Sequence, residues 1–246
     1  MNVLVVNHKT PVGRHLCDVL RKDHDLWNTA QKGLDVVFHI VSEIPDKNDD
    51  VDFQFQGVLS EVKNLLANCK FYNIKDYVLI TEATTKDNNF YQALKVSIQA
   101  IMKVYSKDVK CFYINHSEVV DKENKRLDHL IKEVKLSQNV YIPSRQSTYQ
   151  CIHINDLVDG IITGWTSACG NRYNDIGITA GEEKLTDVCE EIRKIVSPKK
   201  EINFHIDFRE DVNIKVDMKK LNSLFYRPNL TVMETVKKYV MENKNE

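Results

Sequence analysis

Short β-branched apolar runs alternate with longer stretches of helical periodicity through the first half of this chain, and that alternation admits few folds. Asn2-Val3-Leu4-Val5-Val6, Val36-Val37-Phe38-His39-Ile40-Val41, Tyr77-Val78-Leu79-Ile80 and Lys110-Cys111-Phe112-Tyr113-Ile114 read as buried strands. Between them, residues 13–22 place Leu16, Val19 and Leu20 on one helical face. Residues 57–71 do the same with Val62, Leu66 and Cys69, and residues 90–106 with Leu94, Ile98 and Met102. Strands joined through helices pair in parallel, and right-handed crossovers put the helices on both faces of the sheet. After residue 115 the pattern loosens. Helices are predicted near 121–136, 155–165, 183–196 and 231–242, with strands near 150–154 and 202–206.

The first strand runs into Asn7-His8-Lys9-Thr10-Pro11-Val12-Gly13, and then an apolar helix begins. Strand, tight turn and helix are the opening of a dinucleotide-binding βαβ unit. Such a loop needs glycine early, for the turn and for close approach of backbone to pyrophosphate, and late, for packing helix on strand. Here Asn7 and Thr10 stand at the early positions and only Gly13 remains. A side chain at either early position crowds a pyrophosphate, and of the non-glycine residues Asn best tolerates positive φ. His8 and Lys9 offer cations in place of the lost backbone contacts.

At 246 residues with 42% hydrophobic content, one large α/β domain or a domain plus a small lobe is expected. The division read from the chain is 1–165 for the nucleotide-binding part and 166–246 for a small substrate lobe, to which parts of 115–150 contribute. A formal net charge of −1 gives no basis for capture of nucleic acid or a membrane surface. Six singly spaced cysteines lack metal-ligand or redox spacing and read as reduced core thiols, consistent with the cytoplasm. No apolar run reaches membrane-spanning length, and the first strand begins at residue 2. No metal site is expected.

The order of motifs resembles the extended short-chain dehydrogenase/reductase family of NAD-dependent nucleotide-sugar epimerases and dehydratases. Asp35-Val36-Val37-Phe38-His39-Ile40-Val41 resembles the family's fourth strand, and Tyr91-Gln92-Ala93-Leu94-Lys95 its Tyr-x-x-x-Lys pair. Ile152-His153-Ile154-Asn155-Asp156-Leu157, Tyr173-Asn174-Asp175-Ile176-Gly177 and Val216-Asp217-Met218-Lys219-Lys220 followed by Phe225-Tyr226-Arg227-Pro228 resemble its later signatures. The resemblance implies a shortened Rossmann-type doubly wound sheet with a small C-terminal α/β substrate lobe. It implies NAD or NADP as cofactor, at Asn7, Lys9, Thr10, Val12, Gly13, Asn28 and Lys95, and a small-molecule substrate of nucleotide-sugar or polyol type. It further implies a homodimer through the helices at 57–71 and 90–106, which carry Leu59 and Val96 off their main apolar stripes. Physically, an ammonium one helical turn from a phenol favours phenolate and makes Tyr91 an acid/base group.

The chain also departs from that family. Between Arg21 and Val36 one brief strand near Asp25–Asn28 replaces a strand, helix and further strand, so the acid expected about 20 residues after the loop has no counterpart beyond Asn28 and Asp35. Glu82 stands where the family has a catalytic serine, leaving Thr81 or Thr84 as stand-ins. Asn115-His116-Ser117-Glu118-Val119-Val120-Asp121 lacks the family's Arg, Pro, Tyr and Gly. His39, on a buried strand, reads as a satisfied core histidine. Three functions follow: an NAD(P)-dependent epimerase, dehydratase or reductase working through Tyr91, Lys95 and Thr81 or Thr84; a non-catalytic binding or scaffold protein without the dinucleotide; and a redox-free acid/base enzyme using Tyr91, Lys95 and Glu82.

Overall fold

The computed structural model describes residues 1–41, 51–83, 89–122, 124–168, 170–207 and 216–243, with the side chains of 51–54 and 89–91 excepted. The chain runs β1 (Asn2–Val6), α1 (Pro11–Leu20), β2 (Asp25–Trp27), β3 (Val36–Val41), α2 (Val51–Phe71), β4 (Asp76–Glu82), α3 (Asn89–Tyr105) and β5 (Lys110–His116). It continues with β6 (Glu118–Val120), α4 (Lys125–Leu136), β7 (Asn139–Ile142), β8 (Thr148–Tyr149), β9 (Cys151–His153), α5 (Ile154–Ser167) and β10 (Tyr173–Ile178). The last elements are β11 (Glu183–Lys184), α6 (Leu185–Val196), β12 (Asn203–Ile206), α7 (Lys219–Ser223) and α8 (Val232–Glu242).

Six parallel strands form the main sheet in the order β10-β5-β4-β3-β1-β2. Strand alternation sorts its residues onto two faces. Val3, Val5, Phe38, Ile40, Val78, Ile80, Phe112 and Ile114 pack beneath α1 and α5, whereas Leu4, Val37, Tyr77, Leu79, Cys111 and Tyr113 meet α2 and α3. The Rossmann-type doubly wound sheet expected from the sequence is therefore present. A separate apolar cluster joins α4, α6 and α8 to β7, Tyr149 and Cys151. The shortening is equally clear: the three residues of β2 form the sheet edge, and the chain returns from them directly to β3.

The sixth strand of the sheet, β10, is marked in the sequence only by a family-like motif, with no signal for its place in a sheet. It pairs with β5 from Tyr173 to Ile178. Gly177 on this strand lets the Val216–Asp217 segment cross in direct backbone contact, because a Cβ there would run into the Asp217 carbonyl. Cys17, Cys69, Cys111, Cys151 and Cys189 are free and buried, as expected; Cys169 lies outside the described residues.

Asp156 ties the C-terminal segment to α5. It is 2% exposed, and its carboxylate accepts from Asn229 N and Nδ2 through Oδ1 and from Leu230 N through Oδ2, at 2.8–3.1 Å. The Tyr226 hydroxyl donates to the Asp156 carbonyl. Replacing Asp156 with Ala removes the acceptor of two backbone amides and one side-chain amide in a part-buried site, where Asn229 can still turn to water. A donor left buried and unsatisfied costs about 1–3 kcal/mol, and because these donors are only part-buried Asp156→Ala should destabilise the fold by about 2 kcal/mol. Urea denaturation measures it, and an unchanged midpoint would contradict this account of the segment.

Candidate functional site

In a doubly wound sheet, ligands enter where neighbouring connections diverge, at the carboxyl ends of the strands. Here that point lies between β1 and β3. Asn7, immediately after β1, adopts φ 62°, the left-handed turn that the family's glycine supplies. Its side chain then crosses the divide, and Nδ2 donates to the Ile40 carbonyl at 2.8 Å. The turn survives, but its side chain occupies the mouth of the crevice.

The first turn of α1 is also spoken for. Thr10 is its N-cap: Oγ1 accepts from Gly13 N at 3.1 Å and donates to the Asn7 carbonyl at 3.0 Å. Pro11 opens the helix and has no N–H, so among the first three helical amides only that of Val12 is left for an anion. Gly13 keeps its packing role, since a Cβ there would lie 2.7 Å from Asn7 O and His8 Cα. The Val12 side chain is buried in the core beneath the sheet, His8 and Lys9 are exposed, and the Lys9 carbonyl accepts from Arg14. Asn28 is exposed just beyond β2. Asp35 lies at the opposite end of the sheet, accepting from Asn2 N at 3.0 Å. These residues do not fit a dinucleotide: of the donors in the pyrophosphate seat only the Val12 amide is unused, and among the described residues Asn28, not a carboxylate, follows β2.

The second half of the expected site gathers around Tyr113, which carries no motif of its own in the sequence. Thr81, at the end of β4, donates from Oγ1 to the Tyr113 hydroxyl at 3.1 Å, and Lys95 Nζ lies 5.8 Å from the Tyr113 ring centroid. Tyr113 is 2% exposed; burial pushes its phenol up to about 12, against the Thr81 hydrogen bond and with Asp175 adding to it. It is a neutral phenol at physiological pH. Lys95 is exposed as a residue, but burial of its ammonium end holds that group below its usual value, with Asp175 opposing. Asp175 in turn accepts from Gln99 Nε2 at 3.0 Å, and Lys103 Nζ stands 5.3 Å from the Tyr173 ring centroid. Lys95, Gln99 and Lys103 thus form one stripe of α3 facing β5 and β10. Burial raises the Asp175 carboxyl, and Lys95 and Lys103 pull it down.

Of the other expected groups, Tyr91 belongs to α3 by backbone, but its side chain lies outside the described residues, as does Thr84. Glu82 is half-buried at the end of β4, in register with His116 of β5. His39 is buried in the core as the sequence suggested, but it is satisfied only at Nδ1, its Nε2 having no hydrogen-bond partner among the described residues. The Tyr77 hydroxyl is 2.7 Å from His39 Nδ1, and Glu61 Oε2 lies 3.4 Å from Nε2 without making a hydrogen bond to it. No cluster of three metal-binding side chains exists among the described residues. Nor is any described helix long and apolar enough to cross a membrane.

No family model matches this sequence, and no curated protein matches it. Solved structures do match its fold. UDP-N-acetylglucosamine 4-epimerase from Bacillus cereus superposes with a TM-score of 0.78 at 11% identity, covering 100% of both chains. UDP-glucuronic acid 4-epimerase from Bacillus cereus, solved in complex with NAD, gives 0.76 at 17% identity over 99% of this chain and 100% of its own. RMD from Pseudomonas aeruginosa, complexed with NADPH, gives 0.76 at 10% identity over 100% of this chain and 99% of its own. The resemblance to the extended short-chain dehydrogenase/reductase family holds at the level of the fold, end to end.

His116 carries a pH signature of this region. It is 4% exposed and hydrogen-bonds through Nδ1 to the Ser117 carbonyl at 2.8 Å. Burial pushes the imidazole from 6.5 down to about 4, despite that bond. With the folded value depressed, its contribution to stability is complete above 6.5 and is lost as pH falls toward about 4. The loss should be on the order of 3 kcal/mol. His116→Asn, which keeps a donor near Nδ1, should flatten this limb in denaturant titrations from pH 7 to 4. Parallel limbs for both proteins would refute it.

Proposed function

We propose that this chain is an epimerase-like binding or scaffold protein that takes a small molecule of nucleotide-sugar class and does not hold a nicotinamide dinucleotide. One observation carries the reading: the Asn7 amide bridges to Ile40 across the crevice while Thr10 caps Gly13, so that a pyrophosphate would have to displace two internal hydrogen bonds to sit there. The substrate class comes from fold neighbours named as UDP-sugar epimerases. A second reading, NAD(P)-dependent turnover by Tyr91 with Lys95, is favoured by the start of α3 beside the carboxyl end of β4 and by the lowered Lys95 ammonium. Ligand-induced stabilisation separates the two, since anything that binds the native state raises Tm. UDP-glucose should raise Tm, whereas NAD and NADH, whose phosphates are all diester-linked, should leave it unchanged. A rise of several degrees with micromolar NAD would overturn the binding reading in favour of the enzyme. Silence toward every UDP-sugar as well would remove the ligand class.

The same reading includes a symmetric homodimer through α2 and α3. Val96 and Val104 lie eight residues apart on α3, 63% and 67% exposed, on the side turned from the sheet, and Phe71 at the end of α2 is 77% exposed. Two such helix pairs make a four-helix interface. Light scattering at tens of micromolar should give twice the 28.5 kDa chain mass, and Val96→Glu with Val104→Glu should return the monomer. A wild-type monomer at that concentration would refute the interface.

A further inference from the structure

The amino ends of β4, β5 and β10 open onto a second concavity, at the opposite end of the sheet from Asn7 and Thr10. Its volume is 720 Å³, within the range of small-molecule sites. Five cationic side chains line it, Lys70, Lys75, Lys107, Lys110 and Arg172, against two carboxylates, Asp76 and Asp108. Both carboxylates are engaged. Asp108 Oδ2 lies 2.7 Å from Lys70 Nζ, and Asp76 Oδ2 accepts from the Trp165 indole at 2.8 Å. Lys75 reaches Asp35 at 3.6 Å. The remaining three cations have no carboxylate partner among the described residues. Lys110 donates to the Ala168 carbonyl at 2.9 Å and lies 4.8 Å from the Phe112 ring centroid, which orient its charge without neutralising it. Lys107 and Arg172 are exposed at the rim.

Helix ends supply part of the reason for these cations. α2, α3 and α5 all finish near this end of the sheet, and each carboxyl terminus carries about half a negative charge. With Asp35 counted beside Lys75, five cations face three carboxylates; the helix ends offset roughly three quarters of that excess, and a modestly positive concavity remains in a chain of net charge −1. Neutral donors Asn73 and Asn171 complete its wall. We propose that this cleft binds a small anion bearing a terminal phosphate, of the pyrophosphate or nucleoside-diphosphate class, more highly charged than the diester-linked phosphates of a dinucleotide. Concavity favours a compact ligand over a flat surface, and clustered Lys and Arg suit phosphate oxygens through charge and paired hydrogen bonds.

Inorganic pyrophosphate and ADP, titrated into the full chain at constant ionic strength, test this directly. Tm should rise saturably with either, and sodium chloride at matched ionic strength should not reproduce it. Lys107→Glu with Arg172→Glu should weaken the apparent affinity at least tenfold. The charge-neutral pair Lys107→Gln with Arg172→Gln should weaken it in the same direction, which guards against a folding defect caused by the new acids. Lys9→Glu with Arg14→Glu, at the other end of the sheet, should leave the response intact and thereby separates this cleft from any anion held at the first loop. No saturable rise, a rise matched by sodium chloride, or a rise that survives both cleft variants would overturn the proposal. So would a rise abolished by the Lys9 and Arg14 variant.

Discussion

The carboxyl end of the sheet depends on the backbone of Asn7. In the left-handed region a side chain normally costs about 1–2 kcal/mol, but Asn is among the residues that pay least there and can recover some of it through local hydrogen bonds. Asn7 recovers it by donating across to Ile40. One residue thus keeps the sharp turn that delivers α1 onto the sheet and closes the crevice the turn would otherwise open. Thr10 repeats the exchange one step later, trading an amide available to a ligand for an N-cap worth about 1 kcal/mol to the helix. Both substitutions strengthen the scaffold where they weaken a pyrophosphate seat.

Much of this was legible in the residues. Apolar runs located β1, β3, β4 and β5, and helical periodicity located α1 to α3, because burial on a two-sided sheet imposes those patterns. β10 escaped because Asn174 and Asp175 interrupt its apolar pattern, and its place beside β5 is a long-range fact that no local signal encodes. Around the candidate site, the packing role of Gly13 and the tolerance of Asn7 followed from elementary sterics. The role of Tyr113 did not. It depends on register across two strands, with Leu79 opposite Tyr113 and Thr81 opposite Asn115, which brings the Thr81 hydroxyl to the Tyr113 phenol.

Charge divides the two ends of the molecule. Toward the carboxyl ends, the α3 cation is committed: Lys95 faces the Tyr113 ring and the Asp175 carboxylate rather than an open crevice. At the amino ends, cations accumulate beyond what the local carboxylates and helix termini balance. A fold whose relatives are solved with dinucleotides therefore presents, in this chain, its uncommitted positive charge at the other pole.

The free cysteines add a kinetic property to this architecture. Cys69 and Cys111 lie in the layer beneath α2 and α3, Cys189 in the α4–α6–α8 cluster, and burial pushes each thiol up to about 12. With so little thiolate and no solvent access, none can react with an alkylating reagent while the layer above it is closed. Each labelling rate therefore times the opening of its own layer, and the chain carries intrinsic clocks that tell whether its sheet and its helical cluster come apart together or in turn.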